Sequence, residues 1–199
     1  MRKLRPPVPG IYHVATRTVD RRAFSFADDY GCVFWLDVVS RVMKRLEWIC
    51  WGFVVMGTHY HLLVDTPRGN LSRGMQYLNG VYAQRYNKVV GRDGHLFSAR
   101  FSSREIKDNE YLKGAVRYVA RNPVVAGLCR NAGDWKWSSY SAAIGTAQAP
   151  SFFDVRRPLA LFDDNEARAR AALRRYVTAD DTEVGAKAGT YSSLFEAGV

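Results

Sequence analysis

The chain has 199 residues, 47% of them hydrophobic, which suits a folded protein and argues against wholesale disorder. No stretch approaches about 18 consecutive apolar residues, so a membrane span is excluded, and the basic start Met1-Arg2-Lys3-Leu4-Arg5-Pro6-Pro7 lacks the apolar run of a secretory signal. The formal charge is +10, and its excess lies in two segments: residues 1–22 hold six basic and one acidic residue, and residues 85–121 hold nine and four. Such concentration fits a polyanion footprint better than a uniformly solvated surface.

In chain order, residues 1–10 read as a basic, proline-rich arm. Ile11–Thr18 is rich in β-formers and is a predicted strand. Asp20–Phe26 is a polar connection. Trp35, Val38, Val39, Val42, Met43 and Leu46 recur at helical spacing within Phe34–Trp48. Ile49–Met56 and His59–Thr66 form two strands joined at Gly57-Thr58, a hairpin signal. Leu71–Val90 is a second helix, interrupted in composition by Gly74 and Gly80. Gly91–Gly94 turns the chain into a strand within His95–Ile106. Asp108 is a plausible N-cap for a third helix, which Pro123 is expected to end at Asn122.

Strand, helix, strand, strand, helix, strand, helix implies an α+β fold with helices packed on an antiparallel sheet, in a split βαβ arrangement. Beyond Gly127 the character changes. Trp135–Tyr140 reads as an aromatic turn and residues 141–151 as a loop. Asp163–Val177 reads as a final helix, capped by Asp163 with Glu166 three residues on. The division expected is 1–127 as the functional domain with its arm, 128–177 as an extension docked on it, and 178–199 as a flexible tail. Cys32, Cys50 and Cys129 are odd in number and lack metal spacing, which points to a reduced, cytosolic protein.

Four histidines are available for chemistry. On a strand, His59 and His61 share one face while Tyr60, Leu62 and Val64 point into a core. Two adjacent imidazoles can hold a divalent ion with open positions, or be two half-exposed strand residues. His13 and His95 read as structural. Tyr118 and Asn122, four apart on the third helix, face one way: a nucleophile with a neutral oxygen ligand, or an ordinary helix tyrosine with a capping asparagine. Lys113, Arg117 and Arg121 make a basic stripe beside them. Arg85, Lys88 and Arg92, interleaved with Tyr82 and Tyr86, make a second. Arginines between aromatics suit single-stranded or distorted nucleic acid, though either stripe could be a solvated helix face.

These residues also carry a resemblance. Gly10-Ile11-Tyr12-His13-Val14, Met56-Gly57-Thr58-His59-Tyr60-His61-Leu62-Leu63-Val64 and Arg117-Tyr118-Val119-Ala120-Arg121-Asn122-Pro123 resemble the single-tyrosine HUH transposases. Gly94-His95-Leu96-Phe97, Arg100-Phe101 and Trp137-Ser138-Ser139-Tyr140 point to their REP-associated branch. The resemblance spans about residues 8–145. It departs at Thr58, where an asparagine commonly stands, and at Phe97-Ser98-Ala99, in place of Trp-Gln-Gly.

The resemblance implies a ferredoxin-like (RRM-like) fold and metal-dependent cleavage and rejoining of single-stranded DNA near hairpins, through a 5′-phosphotyrosine. It makes His59, His61 and Asn122 ligands of Mg²⁺ or Mn²⁺ and Tyr118 the nucleophile. Arg2, Lys3, Arg5, Arg17, Arg85, Lys88, Arg100, Lys113, Arg117 and Arg121 are the expected DNA contacts. The partners expected are hairpin and single-stranded DNA, including REP-type palindromes, bound by a monomer or homodimer in the bacterial cytoplasm at the nucleoid, with no membrane. Two alternatives are a domesticated relative that binds structured nucleic acid without cutting it and a non-catalytic RNA-binding module, whose glycine- and aromatic-rich strand signature is missing.

Overall fold

A computed structural model describes residues 8–19 and 29–180. Its elements are β1 (Ile11–Arg17), α1 (Asp29–Leu46), β2 (Ile49–Val55), β3 (His59–Asp65), α2 (Leu71–Val90), β4 (Ser102–Ile106), α3 (Asn109–Val125), α4 (Ser139–Ala143), α5 (Arg156–Leu159) and α6 (Glu166–Thr178). The strands form one sheet in the order β2-β3-β1-β4, and every pairing is antiparallel. This is the expected α+β architecture, with β1 and β3 at the centre. No described helix is long and apolar enough to cross a membrane.

Register decides which residues share a face. Ala15 stands opposite His61 and Arg17 opposite His59; on the other side of β1, Ala15 stands opposite Ser102. With a side-chain period of two, Tyr60, Leu62 and Val64 turn towards α1 and α2. There Trp35 packs on Tyr60 with ring centres 4.9 Å apart, and the Tyr60 hydroxyl donates to Asn79 Oδ1 at 2.6 Å. His13, His61 and His59 occupy the opposite face, against α3.

Local chemistry sets the boundaries, in several places differently from the sequence reading. α1 starts at Asp29, ahead of Phe34, and stops at Leu46 rather than Trp48. Glu47 takes φ 57°, and Trp48 N–H bonds back to Met43 C=O at 3.0 Å, which closes the helix as a Schellman turn. α2 tolerates Gly74 because the Trp48 indole lies where a Cβ would project. β4 is confined to Ser102–Ile106; Phe97 makes only an isolated bridge to Thr18.

Asp108 does cap α3, accepting the Tyr111 N–H at 2.7 Å. The helix runs through Pro123 to Val125 instead of ending at Asn122. Pro123 falls in the last turn, where it forgoes one N–H bond to the preceding turn, and Leu128 N–H returns to Pro123 C=O at 2.8 Å.

The expected aromatic turn lines the outer edge of β2. Val55 N–H bonds Trp137 C=O at 2.8 Å and Trp135 Nε1 donates to Val55 C=O at 2.9 Å. Edge amides that would otherwise be open are thus paired. The loop expected from residue 141 is preceded and partly replaced by α4, whose residues are all buried. Asn165 caps α6 through Arg168 N–H, while Asp163, the cap read from sequence, binds Asn165 N–H one step earlier. Tyr140, Phe153, Leu173 and Val177 belong to the same buried core as the sheet. Of the expected tail only residues 178–180 are described.

Candidate active site

Three elements build the site. β3 supplies His59 and His61 at i and i+2. β1 supplies His13, diagonal to His61 across the strand pair. α3 lays Tyr118 and Asn122, one turn apart, over these imidazoles. Tyr118 has its ring centre 5.6 Å from that of His13 and 5.4 Å from that of His61. Its edge-on approach leaves the ring partly accessible, whereas His13 and His61 are 0% and 1% exposed.

His13 Nε2 lies 2.9 Å from His61 Nδ1, a buried hydrogen bond that fixes the His61 ring. His59 is held by the Thr58 hydroxyl, 3.2 Å from its Nδ1, and by a side-chain hydrogen bond with Asn122. Asn122 Nδ2 donates to Tyr118 C=O at 3.0 Å, so its amide is tied to the backbone that carries the tyrosine. Thr58, a departure from the family pattern, still supplies a hydrogen-bonding oxygen at this position.

All three imidazoles are held neutral. Burial brings His59 down to about 4; the Arg17 charge adds to this and the Asn122 hydrogen bond opposes it. Burial, then His13, His59 and Arg17, hold His61 well below the usual range, and burial followed by Arg104 does the same for His13. Neutral imidazole is the form that binds metal. Among the described residues no group of three His, Cys, Asp or Glu side chains could hold an ion.

Depressed imidazoles also set an acid limit on folding. The unfolded chain takes up protons below about pH 6.5, whereas folded His59 resists them until about pH 4, so stability is full above that window and falls as pH drops through it. Thermal midpoints measured between about pH 7.5 and 4.5 are expected to decline through this range, and less steeply in His59→Asn.

The basic residues divide sharply. Arg117, expected at the DNA, is only 4% exposed: its Nε donates to Tyr176 C=O at 2.8 Å and its Nη2 to Ala179 C=O. Arg121 Nη1 donates to Ala179 C=O at 3.0 Å. The two guanidiniums cap the carbonyl end of α6, where positive charge and spare donors are both favoured. Lys113 pairs with Glu110 at 2.8 Å and sits over the Phe162 ring. This stripe therefore faces the C-terminal helices and does not line the histidine face.

Replacing Arg117 with methionine should cost about 3 kcal/mol by orphaning these carbonyls while leaving DNA affinity nearly unchanged; thermal melts and fluorescence anisotropy would check both.

Tyr82 is buried beneath Tyr86 and is core rather than a stacking platform. Arg85, Lys88 and Arg100 are exposed, and Arg85 Nε donates to the Tyr30 hydroxyl at 2.7 Å. Arg17 lies on the histidine face. Arg2, Lys3 and Arg5 lie outside the described residues. His13 is the residue that sequence reasoning placed as structural and the fold brings into the site. The signal that could have found it was the pairing of β1 with β3, which a hairpin-based reading does not supply.

Comparison with known proteins follows the same lines. The model of the IS200-like transposase family matches residues 10–122. A solved REP-associated tyrosine transposase bound to a REP hairpin superposes with a TM-score of 0.62 at 18% identity, covering 78% of this chain and 93% of that one. A transposase candidate from Deinococcus radiodurans aligns with a TM-score of 0.41 at 20% identity, over 55% of this chain and 88% of that one. No curated protein matches the sequence.

Proposed function

We propose that this chain, which belongs to the IS200-like transposase family, cuts and rejoins single-stranded DNA beside hairpins through a covalent bond to Tyr118. One observation carries the reading: Tyr118 and Asn122 converge from α3 on the neutral imidazoles of His61 and His59. A nucleophile, a donor set for a cation and an accessible face are thereby joined. The fold shared with a hairpin-bound REP-associated transposase supports a hairpin substrate and membership of that branch.

In this reading, Tyr118 Oη attacks the scissile phosphorus. The Oη–P bond forms, the P–O3′ bond breaks, and the leaving oxygen is protonated to a free 3′-hydroxyl while the phenol proton passes to water. The 5′-phosphotyrosine keeps the bond energy for rejoining, when a 3′-hydroxyl attacks it in reverse. His59, His61 and Asn122 would hold Mg²⁺ or Mn²⁺, which when bound polarises the phosphate and offsets its developing charge. His13 orients His61, and Thr58 orients His59. Arg85, Lys88 and Arg100, together with Arg2, Lys3 and Arg5, contact the DNA backbone and give salt-dependent affinity.

The test is a labelled hairpin oligonucleotide with a single-stranded flank, incubated with the protein and Mn²⁺ and run on a denaturing gel. A metal-dependent covalent protein–DNA band is expected, and chelation should remove it. Tight binding with no band under any metal would overturn the reading in favour of a non-cleaving binder of structured nucleic acid.

A further inference from the structure

A cation stands beside the donor set, and no carboxylate among the described residues is paired with it. Arg17 ends β1 directly opposite His59 and, by the strand period, points to the face that holds His13 and His61. Its Nε is shielded from solvent and has no hydrogen-bond partner, and no carboxylate among the described residues pairs with it. Its charge is felt by both ligand imidazoles. Arg104, on the same face, differs in being spent on the Tyr111 hydroxyl at 3.1 Å.

A half-buried guanidinium whose Nε is shielded and unbonded carries a cost that an anion arriving during function would relieve. The geometry points to Arg17 as the ligand of the scissile phosphate and as the reason metal loading waits for DNA. This inference rests on the nuclease reading above.

The argument has two parts. First, a guanidinium offers a planar fork that matches two phosphate oxygens, and here it stands on the strand position next to the ligand His59. A phosphate bridging Arg17 and the donor set would present its phosphorus to Tyr118 on the facing helix. Charge on the phosphoryl oxygens rises as Tyr118 attacks, so a preorganised cation there acts most strongly in the transition state.

Second, every protein donor assigned to the cation is neutral. An ion entering the DNA-free site meets the repulsion of Arg17, with no carboxylate among the described residues paired to offset it. The phosphodiester supplies the missing negative charge. DNA must therefore tighten the ion, and by linkage the ion must tighten DNA by the same factor.

The test uses the Tyr118→Phe chain, in which nothing turns over, and follows Mn²⁺ binding by electron paramagnetic resonance with and without the hairpin oligonucleotide. DNA should tighten Mn²⁺ by about tenfold or more. Adding Arg17→Gln should strengthen Mn²⁺ binding to the DNA-free protein several-fold, by about the loss of one neighbouring like charge, and shrink the tightening by DNA. With Tyr118 intact, Arg17→Gln should slow adduct formation about a hundredfold. Arg17→Lys keeps the charge and loses the fork. It should bind free Mn²⁺ as the parent does and cleave at an intermediate rate, and it serves as the working variant if Arg17→Gln does not fold.

A merely structural Arg17 would weaken Mn²⁺ binding and cleavage together, which would overturn the inference, as would cleavage by Arg17→Gln at the parent rate. If the parent chain itself forms no adduct, the nuclease reading fails before Arg17 is at issue.

Discussion

Replacing Tyr118 with phenylalanine should leave the fold and DNA affinity in place and remove the covalent protein–DNA adduct completely. The change deletes one oxygen from a ring that is only partly buried, so the packing of Tyr118 on His13 and His61 is retained. Phenylalanine has no nucleophilic atom, so no slower route through the same position exists. Tyr111 lies on the same helix, but its hydroxyl is engaged by Arg104 at 3.1 Å and it should not substitute. The measurement is the adduct band on a denaturing gel, with a gel-shift assay for affinity. An undiminished band in Tyr118→Phe would place the nucleophile elsewhere.

The two histidines proposed as ligands, His59 and His61, should fail in different ways. His59→Ala and His61→Ala should each lower metal-dependent cleavage by more than about a hundredfold, because one imidazole and a carboxamide cannot position an ion. His61 is buried and hydrogen-bonded to His13, so its loss also leaves a cavity and an unsatisfied ring nitrogen, worth about 1–3 kcal/mol of stability. His59 is more accessible, and its partners Thr58 and Asn122 can turn to water, so His59→Ala should melt close to the parent. Nicking across a Mn²⁺ titration, paired with thermal melts, separates the two effects. Equal melting of both variants would contradict the burial difference, and parent-like nicking in either would remove that residue from the metal site.

The local parts of the site were legible along the chain. A period of two puts His59 and His61 on one face whatever the strand later pairs with. A helical period does the same for Tyr118 and Asn122. The alternation of Tyr60, Leu62 and Val64 against these histidines also set the two groups on opposite faces of the sheet. Element order was enough to give the α+β sheet, since a strand, helix, hairpin, helix and strand have few ways to bury their apolar sides.

Sequence signals misled where a nearby partner outweighed the local rule. Pro123 reads as a helix end, yet the last turn closes around it through Leu128. Asp163 reads as a cap, yet Asn165 takes that place.

What only the tertiary structure decided are the relations between elements distant in the chain. His13 enters the site because β1 pairs with β3 in a register that sets it diagonal to His61, 48 residues away. Arg117 leaves the DNA footprint because α6 ends against it; the same basic stripe could have faced solvent until the carbonyls of Tyr176 and Ala179 claimed its donors. Arg17 gains its place beside His59 by the same strand pairing. The physical reason is common to all three. Backbone periodicity is set by sterics within a few residues and can be read from sequence, whereas the partner of a buried polar group is chosen by packing, which unites segments that no local pattern connects.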